Sequence, residues 1–124
     1  MTAHETDQDA IHRVVRDYVE GMVFADEHRL RRAFHPQSRI IGHFQGELEW
    51  LSVDDFTGAI LDAGPVLAEG ETPVWKIEAL DITGDAATAK VVDDYADMRF
   101  TDFLSLLKIG GRWSIINKLY YLHE

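Results

Sequence analysis

Residues 100–121, FTDFLSLLKIGGRWSIINKLYY, hold two apolar runs on either side of Gly110-Gly111. A Gly-Gly pair between such runs is a tight hairpin turn, because its central residues need positive φ. The flanking segments, 98–109 and 112–122, therefore read as paired strands. Neither alternates cleanly: LSLL and SIIN are apolar on both faces. A strand of that kind needs cover on two sides, from the rest of its own chain and from something else.

Upstream of this hairpin, residues 74–82 (VWKIEALDI) and 86–96 (AATAKVVDDYA) read as two further strands joined by the turn TGD. Residues 38–44 and 47–51 form another strand pair around Gln45-Gly46. The remaining N-terminal half is helical. Ile11, Val14, Val15, Tyr18, Val19, Met22 and Val23 recur at three- and four-residue steps, which predicts an amphipathic helix over 7–24. Thr6 followed by Asp9 supplies its start signal. Asp26 caps a short second helix through Leu30, Ala33 and Phe34, and Pro36 stops it at His35. Ser52 caps a third helix that buries Val53, Phe56, Ile60 and Ala63 and ends at Gly64-Pro65. Residues 64–73 are loop-like.

The order is helix, helix, strand, strand, helix, then four strands. It predicts one α+β domain over residues 1–124 with an antiparallel sheet. The two-sided apolar strands predict a homodimer through the outer face of that sheet. The 124-residue chain carries a net charge of −10. An acidic surface repels nucleic acid and anionic membranes, so neither is an expected partner. The absence of cysteine removes disulfides, thiolate catalysis and cysteine-held metals. The N-terminal MTAHETDQDA is polar and acidic, unlike a signal peptide, and no apolar run reaches membrane-spanning length. The expectation is a soluble, cytoplasmic protein.

This element order, with the stretches DYVEGMVFADEHRLRRAFHP (17–36), SRIIGHF (38–44) and FTDFLSLLKIGGRWSIINKLYY, resembles the nuclear transport factor 2-like superfamily, in particular its lumazine-binding branch. The resemblance covers nearly the whole chain. It implies a cystatin-like cone, in which a strongly curved antiparallel sheet and three helices enclose a cavity. The implied partner is a small hydrophobic or heteroaromatic organic molecule. Because one fold hosts many functions, three readings stay open. The chain is a small-molecule binder, a proton-transfer enzyme of isomerase, dehydratase or cyclase type, or a dimerisation module with a vestigial cavity.

The ketosteroid isomerase-like branch aligns with the first forty residues without a gap. Its mechanism uses a carboxylate base and an oxyanion hole made by a tyrosine and a protonated acid. Tyr18 matches the tyrosine. The base position falls on Gly42 and the acid near Ser105, so both carboxylates are missing and that isomerisation is not expected. His43 lies one residue past the missing base. On a regular strand it points away from the cavity; a bulge would turn it inward as a near-neutral base. Its candidate partner is Asp93, which shares a strand face with Ala87, Ala89 and Val91. The candidate catalytic set is therefore His43, Asp93 and Tyr18, as base, orienting acid and oxyanion donor.

Candidate lining residues come from several elements. The helices and the first strands offer Tyr18, Met22, Phe34, Trp50 and Phe56. The later strands offer Phe103, Ser105, Asn117 and Tyr120. Asn117 and Lys118 are adjacent, so alternation sends only one inward: Lys118 would suit an anionic ligand, Asn117 a neutral one. His35 shapes a corner, His12 and His28 sit on exposed helix faces, and His4 and His123 are near the termini. No histidine pair has metal-ligand spacing, so no metal is expected, and no cofactor.

Overall fold

A computed structural model describes residues 5–124. Its elements are α1 (Asp7–Val23), α2 (Glu27–Ala33), β1 (Phe34–Phe44), β2 (Glu47–Ser52) and α3 (Val53–Ala63), then β3 (Trp75–Thr83), β4 (Ala86–Tyr95), β5 (Met98–Ile109) and β6 (Arg112–His123). Each helix begins where a side chain can satisfy an otherwise orphaned N–H. Thr6 accepts from the Asp9 amide, Asp26 from Arg29 and Ser52 from Asp55. Gly64, at φ 76°, ends α3 in the left-handed region. His4 lies outside the described residues.

The six strands form one sheet in the order β2-β1-β6-β5-β4-β3. Four of its pairings are antiparallel and one, β1 with β6, is parallel. The parallel pair arises because α3 and the three-strand meander β3–β5 intervene before the chain returns beside β1. β1 also starts earlier than the sequence pattern suggests, at Phe34 rather than residue 38. Its register on β6 shifts between Phe34 and Arg39, around Pro36, which has no N–H to give the ladder.

The helices cover one face of this curved, unclosed sheet. Towards the β5–β6 hairpin, Ile11 and Val15 from α1 and Leu106, Trp113 and Ile115 from the sheet are buried in the core. Trp113 also donates its indole N–H to Asp7 at 2.9 Å, closing that end. At the other end, near the C-terminus of α1, side chains leave a cavity of about 280 Å³. Among the described residues no helix is long and apolar enough to cross a membrane.

Candidate functional site

The cavity wall is mostly apolar, with Ile40, Phe44, Leu51, Phe56 and Phe100. Polar groups enter it from three strands: Glu49 from β2, Asp93 and Tyr95 from β4, and Lys118 and Tyr120 from β6. Few polar groups on an apolar wall is the composition of a small-molecule site.

Asp93 lies on the inner face of β4, continuing Ala87, Ala89 and Val91, and is 1% exposed. The β4–β5 turn places it opposite Phe100 and sets Val91 opposite Asp102. That turn uses Ala96 and Asp97 at φ 52° and 62°, the two positive values a two-residue hairpin requires. Asp93 and Asp102 are thus diagonal neighbours on one face. Asp102 is fully buried and accepts a 2.6 Å hydrogen bond from the Tyr18 hydroxyl.

As carboxylates, neither oxygen of Asp93 nor Oδ1 of Asp102 has a donor among the described residues. A proton on Asp93 removes the conflict, because Asp93 then donates to Asp102. The electrostatics agree. Burial pushes the Asp93 carboxyl well above its usual range, and the hydrogen bond and charge of Asp102 push it further. The nearby Lys118 cation works the other way without reversing the shift. Burial and the Asp102 charge likewise raise Tyr18 well above its ordinary value, so it stays a neutral donor.

Lys118 is 5% exposed and makes no ion pair among the described residues. Its Nζ sits 4.7 Å from the ring centroids of Tyr18 and Phe56 and 5.3 Å from that of Tyr120. The Met22 sulfur lies 3.9 Å away. Three ring faces and a thioether take the place of water around the ammonium. Tyr120 donates to Glu49 at 2.5 Å, and burial followed by that bond raises its hydroxyl above the ordinary tyrosine value.

The sequence-derived candidates divide. Met22, Phe56, Asp93 and Tyr120 line the cavity. Tyr18 stands behind the wall, holding Asp102. Phe34 is core, packed edge-on against Tyr18 and Phe56. Trp50 and Phe103 are 65% and 46% exposed on the outer face. Ser105 and Asn117 pair with each other on β5 and β6, and Asn117 also faces Arg39, so both belong to the outer side and Lys118 is the inward residue. His43 is exposed, flanked by Leu48 and Tyr121. The pairing of β1 with β2 runs unbroken from Arg39 to Phe44, so no bulge turns His43 inward, and it does not meet Asp93.

Two expectations need correction. An acid does lie against Tyr18: Asp102, three residues before Ser105, accepts from its hydroxyl. Its signal was available, since alternation from Leu104 puts Asp102 on the inner face. Gly42 does occupy the inner face, but a side chain there would meet the Tyr120 carbonyl at 2.6 Å and its ring at 2.8 Å. The inward carboxylate on that row comes instead from Glu49, paired opposite Gly42 on β2.

A family model described as "Putative lumazine-binding" matches residues 6–121. Aldolase FrzH from Cladobotryum sp is 32% identical over 129 residues, covering 98% of this chain and 97% of that protein. A crystal structure of a nuclear transport factor 2-like protein of unknown function from Silicibacter pomeroyi shares 34% identity at a TM-score of 0.87, over 96% of this chain and 100% of that one. A similar protein from Shewanella baltica shares 32% identity at 0.84, over 100% and 99%. A ketosteroid isomerase-like protein from Erwinia carotovora, at 12% identity and 0.70 over 98% and 99%, shares the fold.

Proposed function

This chain belongs to the "Putative lumazine-binding" family, and from its cavity chemistry we propose that it is a proton-transfer enzyme acting on a small, largely apolar carbonyl compound. The carrying observation is Asp93, a buried carboxyl at the cavity wall whose hold on its proton is strengthened by burial and by Asp102. A carboxyl so shifted is suited to exchange protons with a bound molecule at working pH, where an ordinary aspartate stays ionised. Asp102 and Tyr18 are positioning residues: Tyr18 holds Asp102 through its hydroxyl, and Asp102 shares the proton of Asp93. Lys118 marks the end of the cavity where the oxygen of a substrate lies, since an ammonium prefers an electron-rich neighbour.

The relative from Cladobotryum is named an aldolase. An aldol step begins with loss of a proton beside a carbonyl, which is the chemistry this arrangement favours. Binding without turnover is the second reading, favoured by the apolar walls. Cyclohexanone deuterated beside its carbonyl separates the two. Protein-dependent loss of deuterium, followed by NMR, is expected for the native chain and absent in Asp93→Asn. Binding of the ketone with no exchange in either protein would leave only the binder.

We also propose that a second copy covers the outer face. Leu48 and Trp50 on β2, Phe103 on β5, and Leu119 and Tyr121 on β6 lie there, each more than a third exposed. An isologous pairing would bury each patch against itself.

A further inference from the structure

Lys118 is the group this acid-base reading leaves without a full role. A lysine is costly to bury as a charge unless something repays the lost hydration. The usual repayment, a carboxylate in contact, is not made among the described residues. Instead the Nζ is held between the faces of Tyr18, Phe56 and Tyr120, at the cavity wall, within the electrostatic reach of Asp93. An amine tethered in an apolar pocket beside a proton-transferring carboxyl has the two properties a covalent nucleophile needs: orientation, and a place to put its proton.

We propose that Lys118 forms a Schiff base with the carbonyl substrate. This deepens the acid-base reading and rests on it. Lys118 passes one proton to the Asp93–Asp102 pair, onto the one carboxylate that the proton already shared between the two leaves ionised. The freed amine attacks the carbonyl carbon, forming a C–N bond, and the carbonyl oxygen takes up that proton. A second proton, from nitrogen by way of Asp93, lets the oxygen leave as water. The sum is one ketone or aldehyde plus one ammonium giving one iminium cation plus one water. Charge is conserved, so the three rings that face the ammonium face the iminium equally well.

The iminium draws electrons from the neighbouring carbon, and Asp93, its own proton handed to Asp102, removes a proton there to give a neutral enamine. Reprotonation returns the iminium. Attack of the enamine on a second carbonyl forms a carbon–carbon bond and regenerates the iminium, and the second carbonyl oxygen takes the proton from Asp93 to become a hydroxyl. Water then hydrolyses the iminium, releasing the carbonyl product and restoring the ammonium. No oxidant or reductant enters the cycle.

The test is reductive trapping. The native protein is incubated with cyclohexanone and sodium cyanoborohydride near neutral pH, and the lysines are mapped by peptide mass spectrometry. The chain has three other lysines as internal references: Lys76 and Lys90, which are exposed, and Lys108, which is half-buried. A cyclohexyl adduct on Lys118 forming about tenfold or more faster than on these three is expected, as an oriented amine beside an acid would give. Lys118→Met should lose both this adduct and the deuterium exchange of the ketone. Lys118→Arg keeps a cation but cannot form the iminium, and should lose exchange as well. Circular dichroism and a thermal melt establish that each variant is folded.

Labelling of Lys118 no faster than of the references overturns the proposal. So does full exchange by a folded Lys118→Arg. In both cases exchange that still depends on Asp93 leaves the acid-base reading intact, whereas loss of exchange from the native protein removes that reading too.

Discussion

Asp93 is a carboxyl buried at the cavity wall, where an aspartate is ordinarily exposed. In the unfolded chain it ionises near its ordinary value of 3.8; in the fold it keeps its proton to well above that. Between those two points folding takes up a proton, so the contribution of Asp93 to stability falls as pH rises. Below the ordinary value the contribution is fully present, because both states hold the proton. Asp93→Asn keeps the shape and abolishes the titration. Its melting temperature relative to the native chain should therefore rise between about pH 5 and about pH 8, by differential scanning calorimetry. A constant difference across that range would mean that Asp93 titrates like an exposed aspartate. Sequence singled out Asp93 for a sound reason: a carboxylate ending an apolar strand face needs an explanation. The same reasoning reaches Asp102, on the same face as Phe100 and Leu104. It was obscured by reading the acid position at Ser105, and an error of odd length along a strand also changes the face.

At the scale of elements, strand β1 supplies Ile40 and Phe44 to the cavity wall. Its inner face carries Ile40, Gly42 and Phe44, and its outer face Arg39, Ile41 and His43. Gly42 is small because β6 brings Tyr120 against it. Gly42→Ala should cost about 1–3 kcal/mol as an overpacked contact, since the nearest atom is a backbone carbonyl that cannot rotate away. It should also disturb the bond from Tyr120 to Glu49. The neighbouring His43→Ala serves as contrast: exposed and on the other face, it should change stability by less than about 0.5 kcal/mol. Urea denaturation of the two variants measures both. Equal costs would contradict the strand register. Helices were legible in sequence because their signals are local, in the 3.6-residue stripe and the caps of Thr6, Asp26 and Ser52. The parallel seam between β1 and β6 was not, because the partners are more than seventy residues apart and no local pattern encodes their direction.

For the whole molecule, the sheet divides the chemistry. Its inner face builds a buried core and a cavity; its outer face carries apolar side chains towards solvent. If a second copy covers that face, Leu119→Lys, at a position 47% exposed, should weaken self-association without unfolding the protomer. Light scattering on a sizing column is expected to give a dimer for the native chain and a monomer for the variant. A native chain that is monomeric at every concentration tested would remove the proposed partner. The double-sided apolarity of LSLL and SIIN already pointed to this face, since residue type alone reports that a strand is wanted dry on both sides.

The order of helices and strands, their starts and stops, and the α+β class follow from the sequence alone, because caps, turns and periodicity act over a few residues. The cavity and its chemistry do not. Whether Asn117 or Lys118 faces inward, and whether His43 meets Asp93, depend on how strands fall into register across the sheet. The contact of Asp93 with Asp102, and the three rings gathered around Lys118, exist only once β4, β5, β6 and two helices curve around one space. Burial in that shared space, which no single segment possesses, is what changes the proton affinity of Asp93 and leaves Lys118 with aromatic neighbours in place of water.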